Sequence, residues 1–475
     1  MLQHYFDNFF LRFSTESFTT DWQRLEVGIV TGCTISVVLF ATAMNLIVKS
    51  AEKTSRGPKM ASGSIQPPTR AFMDDMTITD KLYVEGRWML QDIGEIITWA
   101  RMRFKPAKSR SMVLRKGAIQ DSARYRVCDQ LIPTVKEKHV KCLGKWYRGS
   151  LSDKESIADT ESQLKDWLNQ VEKCGLPGKF KAWIYQHGIL PRLLWPLLIN
   201  SVPSSTVEAM ERTINGFLRR WFGVPKSFTS LGLYCTKSKL QLPLKALTEE
   251  YKVTKARQVI MLRDSADEKV REAGVKILTG RKWKAEEAVK DAESRLRHSD
   301  IVGTVTEGRL GLGCVTRSQW SKAGQKERRT LIQSEVRRTE EEHRQTKAAA
   351  LGKQGRWLNW EGVQQRKLTW GDIWKTEGDR LSYLLRSVYD VLPSPVNLKT
   401  WGLSDNPECK HCGRPANLEH ILSSCKTFLK DGRYTWRHDR VLASIAEPLD
   451  HARRFQKNKE KGVLFIPFVK EGQTG

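Results

Sequence analysis

The four residues Phe72-Met73-Asp74-Asp75 restrict the fold of this chain more than any others. Two adjacent carboxylates follow a bulky aromatic, and apolar or β-prone residues flank them (Ala71, Met76, Thr77, Ile78). Strand formers on both sides of two turn-tolerant aspartates read as a β-hairpin with acids at its tip. Adjacent carboxylates repel unless solvent or a cation sits between them. Magnesium suits such a pair, because it takes oxygen ligands, keeps several waters and binds through one or two carboxylates plus substrate phosphates. A solvated turn is the plainer alternative, and the pair alone does not choose between them.

Charge narrows the choice. Lysines and arginines number 80 against 53 acids, a net charge of +27 over 475 residues. Such a balance favours polyanionic partners, nucleic acid first and anionic lipid second. The charge is uneven. Residues 101–116 hold Arg101, Arg103, Lys105, Lys108, Arg110, Arg115 and Lys116 and no acid. They follow the acidic hairpin closely, where a nucleic-acid backbone would lie, and phosphate contacts there would make binding steeply salt-dependent.

Nine cysteines are scattered except for three near the C-terminus. Met1 to Phe10 has no basic stretch followed by an apolar run and cleavage site, so no secretory signal is read. A reducing compartment, nucleus or cytoplasm, is the expectation, and clustered cysteines there suggest metal rather than disulfides. Cys409-x2-Cys412-x7-His420-x4-Cys425 fits that reading. A structural zinc ion takes four tetrahedral thiolate or imidazole ligands. The two-residue gap lets both thiolates of a tight turn face one ion, and Gly413 permits the turn. Leu418, Ile421 and Leu422 suggest a short helix carrying His420, with His411 set aside as a ligand.

Val27 to Val48 imitates a membrane span, with 22 uncharged residues. Two early glycines suggest a loop entering a helix near Thr34, and a fully buried helix is also apolar all round. The expectation is burial in protein; a membrane-anchored basic protein is the rival. Before it, His4 to Phe13 reads as helix, with a polar turn into Trp22. Residues 55–70 read as a loop, and 84–101 as a helix with Met89, Ile93, Ile96, Ile97 and Ala100 on one face. Two or three short strands follow to about 150. Helix and strand over one sheet give an α+β class.

From 160 to about 300 the spacing is helical. Leu164, Trp167, Leu168 and Val171 share a face closed by Gly175 and Pro177. Ser205 and Glu208 suggest a capping box ahead of the stripe Val207, Met210, Ile214, Phe217, Leu218 and Trp221. Arg212, Arg219 and Arg220 lie off that stripe as a basic face. Residues 321–350 read as an exposed helix or connector, because Leu331, Ile332 and Val336 are the only clear apolar contacts. Trp357, Trp360, Trp370 and Trp374 follow, read mainly as packing with base stacking as the alternative.

In order along the chain, four segments resemble landmarks of a reverse transcriptase. They are Gly28-Ile29-Val30-Thr31-Gly32-Cys33-Thr34-Ile35-Ser36, the Asp-Asp hairpin, Phe104-Lys105-Pro106-Ala107-Lys108-Ser109, and Cys142-Leu143-Gly144-Lys145-Trp146. Together they look like the polymerase of a non-LTR retrotransposon of the type carrying a restriction-like endonuclease. Thr31 stands where the family usually has Gln, and Val37 where it has Pro. The resemblance implies a partial right-hand polymerase palm with fingers over 1–150 and a helical thumb over 151–300. A helical, basic, Trp-rich connector over 301–400 and a zinc-knuckle-like module with a basic tail over 401–475 would follow.

It further implies RNA template and DNA primer as partners and two magnesium ions on Asp74 and Asp75. Lys108 would lie near the triphosphate. Phe72, Gly32, Ser36, Leu143, Gly144, Arg219 and Arg220 would lie along template or primer. The zinc on Cys409, Cys412, His420 and Cys425 would fold a small nucleic-acid-holding module. In the family a further aspartate comes from a strand well ahead of the glycine turn. Only 27 residues precede Gly28, and Asp7 falls in a segment resembling the helix just before that turn, so the chain is expected to be catalytically incomplete. A binding remnant without catalysis is the alternative. The family type continues into an endonuclease, and no such constellation is read before Gly475.

Overall fold

A computed structural model describes residues 7–24, 33–308, 311–315, 319–356 and 364–457. The chain is helix-rich with small antiparallel ribbons and one parallel pair, and divides into two compact units. The first comprises Met1–Gly175, Trp183–Asn215 and Lys245–Glu342; the second comprises Leu176–Ala182, Gly216–Leu244 and His343–Gly475.

In the first unit, β1 (Phe10–Leu11) pairs antiparallel with β2 (Gln23–Arg24). The helix read from His4 to Phe13 is therefore not formed over Phe10–Leu11. Ser14, Thr15, Thr19 and Thr20 bond across the intervening turn instead, Ser14 Oγ lying 2.7 Å from Thr19 Oγ1. Such local hydroxyl bonding competes with a helix.

Helix α1 (Thr34–Thr54) starts where the loop-to-helix reading put it. Met44, Ile47 and Ala51 on its later turns pack on Met89, Ile93 and Ile97 of α2 (Tyr83–Trp99). Burying each of the Met and Ile side chains contributes roughly 1.5–3 kcal/mol. The first half of α1 departs from the expectation of burial. Ile35, Val37 and Val38 are exposed there, as is Leu46 further on, and only Ser36, Met44 and Ile47 among residues 33–48 are buried. Hydropathy reports that a segment is apolar, not that a partner covers it. By length and composition α1 is long and apolar enough to cross a membrane, and it alone qualifies among the described residues. Residues 27–32 lie outside the described residues.

Between α1 and α2, β3 (Thr69–Phe72) pairs antiparallel with β4 (Asp75–Ile78), Phe72 opposite Asp75. Met76 and Ile78 join the α1–α2 core, as do Met102 and Phe104 just beyond α2. Three more hairpins follow: β5 (Val113–Arg115) with β6 (Ala118–Gln120), β7 (Arg126–Val127) with β8 (Gln130–Leu131), and β9 (Val140–Cys142) with β10 (Lys145–Tyr147). Positive φ at both turn residues, Lys116-Gly117, Cys128-Asp129 and Leu143-Gly144, gives the primed turns that suit two-residue hairpins.

The expected single sheet is not present among the described residues. Each ribbon is two-stranded, and six short strands replace the two or three read from sequence. Strands of two or three residues bury at most one side chain each. Val127 and Ile132 pack with Tyr125 and with Tyr83, Leu90, Phe104 and Val113, so side chains and not strand pairing join this ribbon to its surroundings.

The helices begin with α3 (Lys154–Lys173), α4 (Leu190–Ile199) and α5 (Ser204–Trp221). Leu164 and Leu168 are buried on α3, and Val207, Met210, Ile214, Leu218 and Trp221 on α5, as the spacing predicts. The capping box is not formed. The helix already includes Ser204 and Ser205, and the Glu208 carboxylate pairs with Lys282 at 2.5 Å.

Helices α6 (Leu247–Arg263), α7 (Ala285–Val302) and α8 (Gln325–Ala349) build the largest described core of this unit. Ile332 and Val336 of α8 are buried against Val253, Ala256, Ile260, Val289 and Trp320. The exposed-connector reading of 321–350 is thereby corrected. Its few apolar residues lie on one face, and its acids are covered because cations meet them: Arg338 pairs with buried Glu335 at 2.7 Å, and Lys252 with Glu340 at 2.7 Å. Strands β12 (Thr304–Gly308) and β13 (Gly311–Val315) form a further hairpin.

In the second unit, β11 (Leu240–Gln241) pairs parallel with β14 (Arg366–Lys367). Phe228 and Tyr389 are buried edge to face at 4.9 Å. The Gly223 carbonyl accepts bonds from Ser382 Oγ (2.8 Å) and Arg386 Nε (2.9 Å) on α9 (Gly378–Val388). Trp370 is half-buried and Trp374 exposed; Trp357 and Trp360 lie outside the described residues. The unit ends in α10 (Arg433–Lys457), whose residues 435–454 are all exposed.

Candidate metal centre and carboxylate hairpin

The second unit carries a four-donor cluster. Cys409 and Cys412 sit on a tight turn closed by bonds from Cys409 N to Arg414 O (2.7 Å) and from Gly413 N to Cys409 O (2.9 Å). Gly413 has φ +69°, which a side chain would resist. His420 opens a single wide helical turn, His420–Ser424, and Cys425 follows as the cap of the next short helix. The ligand atoms of Cys409, Cys412, His420 and Cys425 all lie within 4.8 Å of one another.

Cys409 Sγ is 3.9 Å from Cys425 Sγ, and Cys412 Sγ is 3.2 Å from His420 Nε2. The edge of a zinc tetrahedron with ~2.3 Å Zn–S bonds is about 3.8 Å, so these donors fit one ion. Backbone N–H groups of Phe428 and Thr427 point at Cys425 and hold its thiol below the ordinary range. A thiolate is the form that binds metal. His411 stacks on Phe428 at 5.0 Å and is not a ligand.

Two residues absent from the sequence reading brace the cluster. The Tyr434 hydroxyl accepts from Cys425 N (2.9 Å) and donates to His420 O (3.2 Å), and Asn417 Oδ1 accepts from His420 N (2.7 Å). Tyr434 carries no metal-ligand atom and stands between Arg433 and Thr435; its ring contact with Phe428 at 6.1 Å needs the fold.

The acidic hairpin is built differently. Met73 (φ +53°) and Asp74 make its turn, and Asp75 begins the return strand. Phe72, Met73, Asp74 and Asp75 are all exposed. Among the described residues no third acid, histidine or cysteine joins them; the group there that could hold a metal ion is the Cys/His cluster. Two carboxylates on an open turn do not make the donor set of a two-magnesium site.

The other sequence-read residues divide. Lys108 closes a short turn, Pro106–Lys108, and is exposed; Met102 and Phe104 anchor the start of this segment on the same core as the hairpin. Arg110 donates to Lys138 O (2.9 Å), which ties it to the chain entering β9. Leu143 is exposed at that hairpin's tip, and Gly144 (φ +88°) lies against Trp195. Ser36 is buried, its Oγ without a partner among the described residues; Gly32 lies outside them. Arg219 does not form part of an open basic face: it is half-buried, and its Nε donates to Phe228 O at 2.8 Å. Burial lowers its pKa from the usual guanidinium value. Arg220 is exposed and lies over Phe217 at 4.2 Å.

Of the seven cations in 101–116, Arg101, Arg103, Lys105, Lys108, Arg115 and Lys116 are exposed and make no ion pair among the described residues. Compared with known proteins, the chain matches no protein-family model and no curated relative.

Proposed function

We propose that this chain is a nucleic-acid-binding protein of reverse-transcriptase type, of non-LTR retrotransposon descent, working in the nucleus or cytoplasm. It holds RNA template and DNA primer without extending the primer by itself. The observation that carries this reading is the set of six exposed, unpaired cations beside the carboxylate hairpin. Lysine and arginine left without acids exchange counterions for phosphates, which is the main source of nucleic-acid affinity. The family order of the four segments gives the binding its template–primer form. The palm and thumb remain part of this proposal, with ribbons and α2 standing for the palm and α3–α5 for the thumb.

Among the described residues magnesium would meet Asp74 and Asp75 without a third carboxylate, too few donors to clamp two ions for nucleotide addition. In the second unit, the metal of the Cys/His cluster would be zinc with a structural role, holding a small knuckle that adds to nucleic-acid binding. The test is primer extension on an RNA template with magnesium or manganese, beside binding of the same template–primer. Binding without extension, unchanged in Asp74→Ala, is expected. Extension lost in Asp74→Ala would overturn the non-extending part. A chain that binds no nucleic acid at low salt would overturn the whole reading.

A second reading has its own observation. The exposed apolar residues of α1 would suit a bilayer, making this a membrane-anchored basic protein. Flotation with lipid vesicles, persisting through a carbonate wash, would favour it.

A further inference from the structure

The tip of the β9–β10 hairpin is held against one exposed indole. A Cβ placed on Gly144 would come within 2.4 Å of Trp195 Nε1 and 3.1 Å of Cδ1, so only glycine allows this approach. The hairpin is fixed there by Lys145, whose Nζ reaches Ile199 O (3.3 Å) and Asp153 (3.2 Å). Asp153 in turn accepts from Ser201 N at 2.8 Å. The end of α4 and the hairpin are thus pinned at two points, the glycine edge and the lysine.

Pinning of this kind commonly hides an aromatic. Here Trp195 stays 52% exposed, and Leu143 beside Gly144 stays 49% exposed. Arg192 lies one turn before Trp195 on α4, also exposed and without an ion pair among the described residues. Residues three apart share a helix face, so the cation and the indole project together. Lys138 and Lys141 of the approaching strand segment are exposed too, Lys141 Nζ standing 5.7 Å from the Trp146 ring.

We propose that Trp195 stacks on an unpaired base of a nucleic-acid strand, with Arg192 on the adjoining phosphate and the Leu143-Gly144 tip as the wall that orients it. An open indole beside unpaired cations has the chemistry of a single-strand stacking platform, because every base offers a π-face and the backbone offers charge. The fixed hairpin makes the platform rigid before binding, which lowers the ordering cost. This inference rests on the nucleic-acid reading above and adds to it residues that no sequence signal marked; Trp195 stands beside Leu193, Leu194 and Pro196.

The test uses the full chain and oligonucleotides carrying 2-aminopurine in an unpaired overhang or in a duplex. Wild type should quench the overhang probe and bind it more tightly than the duplex. Trp195→Leu, which keeps an apolar contact to Gly144, should remove the quench and weaken overhang binding roughly tenfold. Trp195→Phe should restore most of both. Arg192→Gln should weaken binding and lower its salt slope by about 0.7 while the quench persists. If Trp195→Leu binds and quenches like wild type, the platform is wrong and the nucleic-acid reading stands. If wild type binds neither probe at low salt, both fall. Should Trp195→Leu fail to fold, the Phe and Arg192 variants decide, and an unchanged Arg192→Gln slope would count against the phosphate contact.

Discussion

Residues 101–116 and helices α6–α8 are rich in the same two side chains and use them in opposite ways. In the helices several cations are paired: Arg337 with Glu250 (2.5 Å) and Glu249 (2.9 Å), Arg263 with Glu293 (2.6 Å), Arg295 with Glu342 (2.8 Å). In 101–116 six exposed cations have no acid within reach among the described residues. The first arrangement holds helices together. The second leaves charge for a partner. A count of lysine and arginine alone does not separate them; what differs is whether acids stand beside the cations.

The largest expected effect separates both regions from the metal module. A chelator should strip about one zinc per chain and unfold residues 395–432, because metal-binding energy in so small a unit is folding energy, on the order of 10 kcal/mol. Cys425→Ser should do the same, read by elemental analysis and by loss of module protection in hydrogen exchange. Salt-dependent nucleic-acid binding should largely survive, which would locate it in 101–116. Loss of all binding with the zinc would break the comparison.

Next comes the ion network. Arg337→Ala removes the guanidinium shared by Glu249 and Glu250, both mostly covered, and should cost about 2 kcal/mol in denaturant unfolding. Replacing Lys105, Lys108, Arg115 and Lys116 by Ala together should change stability by less than about 0.5 kcal/mol per site. Equal losses would mean that 101–116 is also structural.

A smaller effect concerns a cation inside the helical core. Lys255 Nζ is buried and donates to Leu198 O (2.7 Å) and Asn200 O (3.0 Å). Burial, with nearby Lys145, pushes its pKa down to about 8. Between that value and the unfolded ~10.4, the unfolded chain binds more protons, so this group makes stability rise with pH in that window. Wild type should gain on the order of 1–2 kcal/mol relative to Lys255→Met between pH 8 and 10. Parallel pH profiles would show that Lys255 titrates normally.

Legibility in the sequence followed the range of the interactions. The Cys409–Cys425 spacing closes within seventeen residues, and the sequence contained all four ligands. The Phe72–Asp75 turn is local too, and the hairpin formed there. What failed was long-range. Strand propensity around 113–147 did not say that each ribbon would pair only with itself. Glu335 looked like a solvent residue, and it is buried because Arg295 comes from another helix and Arg338 from the next turn. Ile35, Val37 and Val38 looked like core, and nothing among the described residues covers them. Gly144 was read as a primer contact implied by the resemblance, while Trp195, which requires it, carried no signal.

The account rests most directly on the unpaired cations of 101–116, and the salt dependence of single-stranded RNA and DNA affinity tests them. For wild type, log Kobs should fall steeply with log salt. With Lys105, Lys108, Arg115 and Lys116 replaced by Ala, the slope should flatten by about 0.7 per lost phosphate contact, roughly 3 in all. An unchanged slope in that variant, with binding intact, would contradict the account.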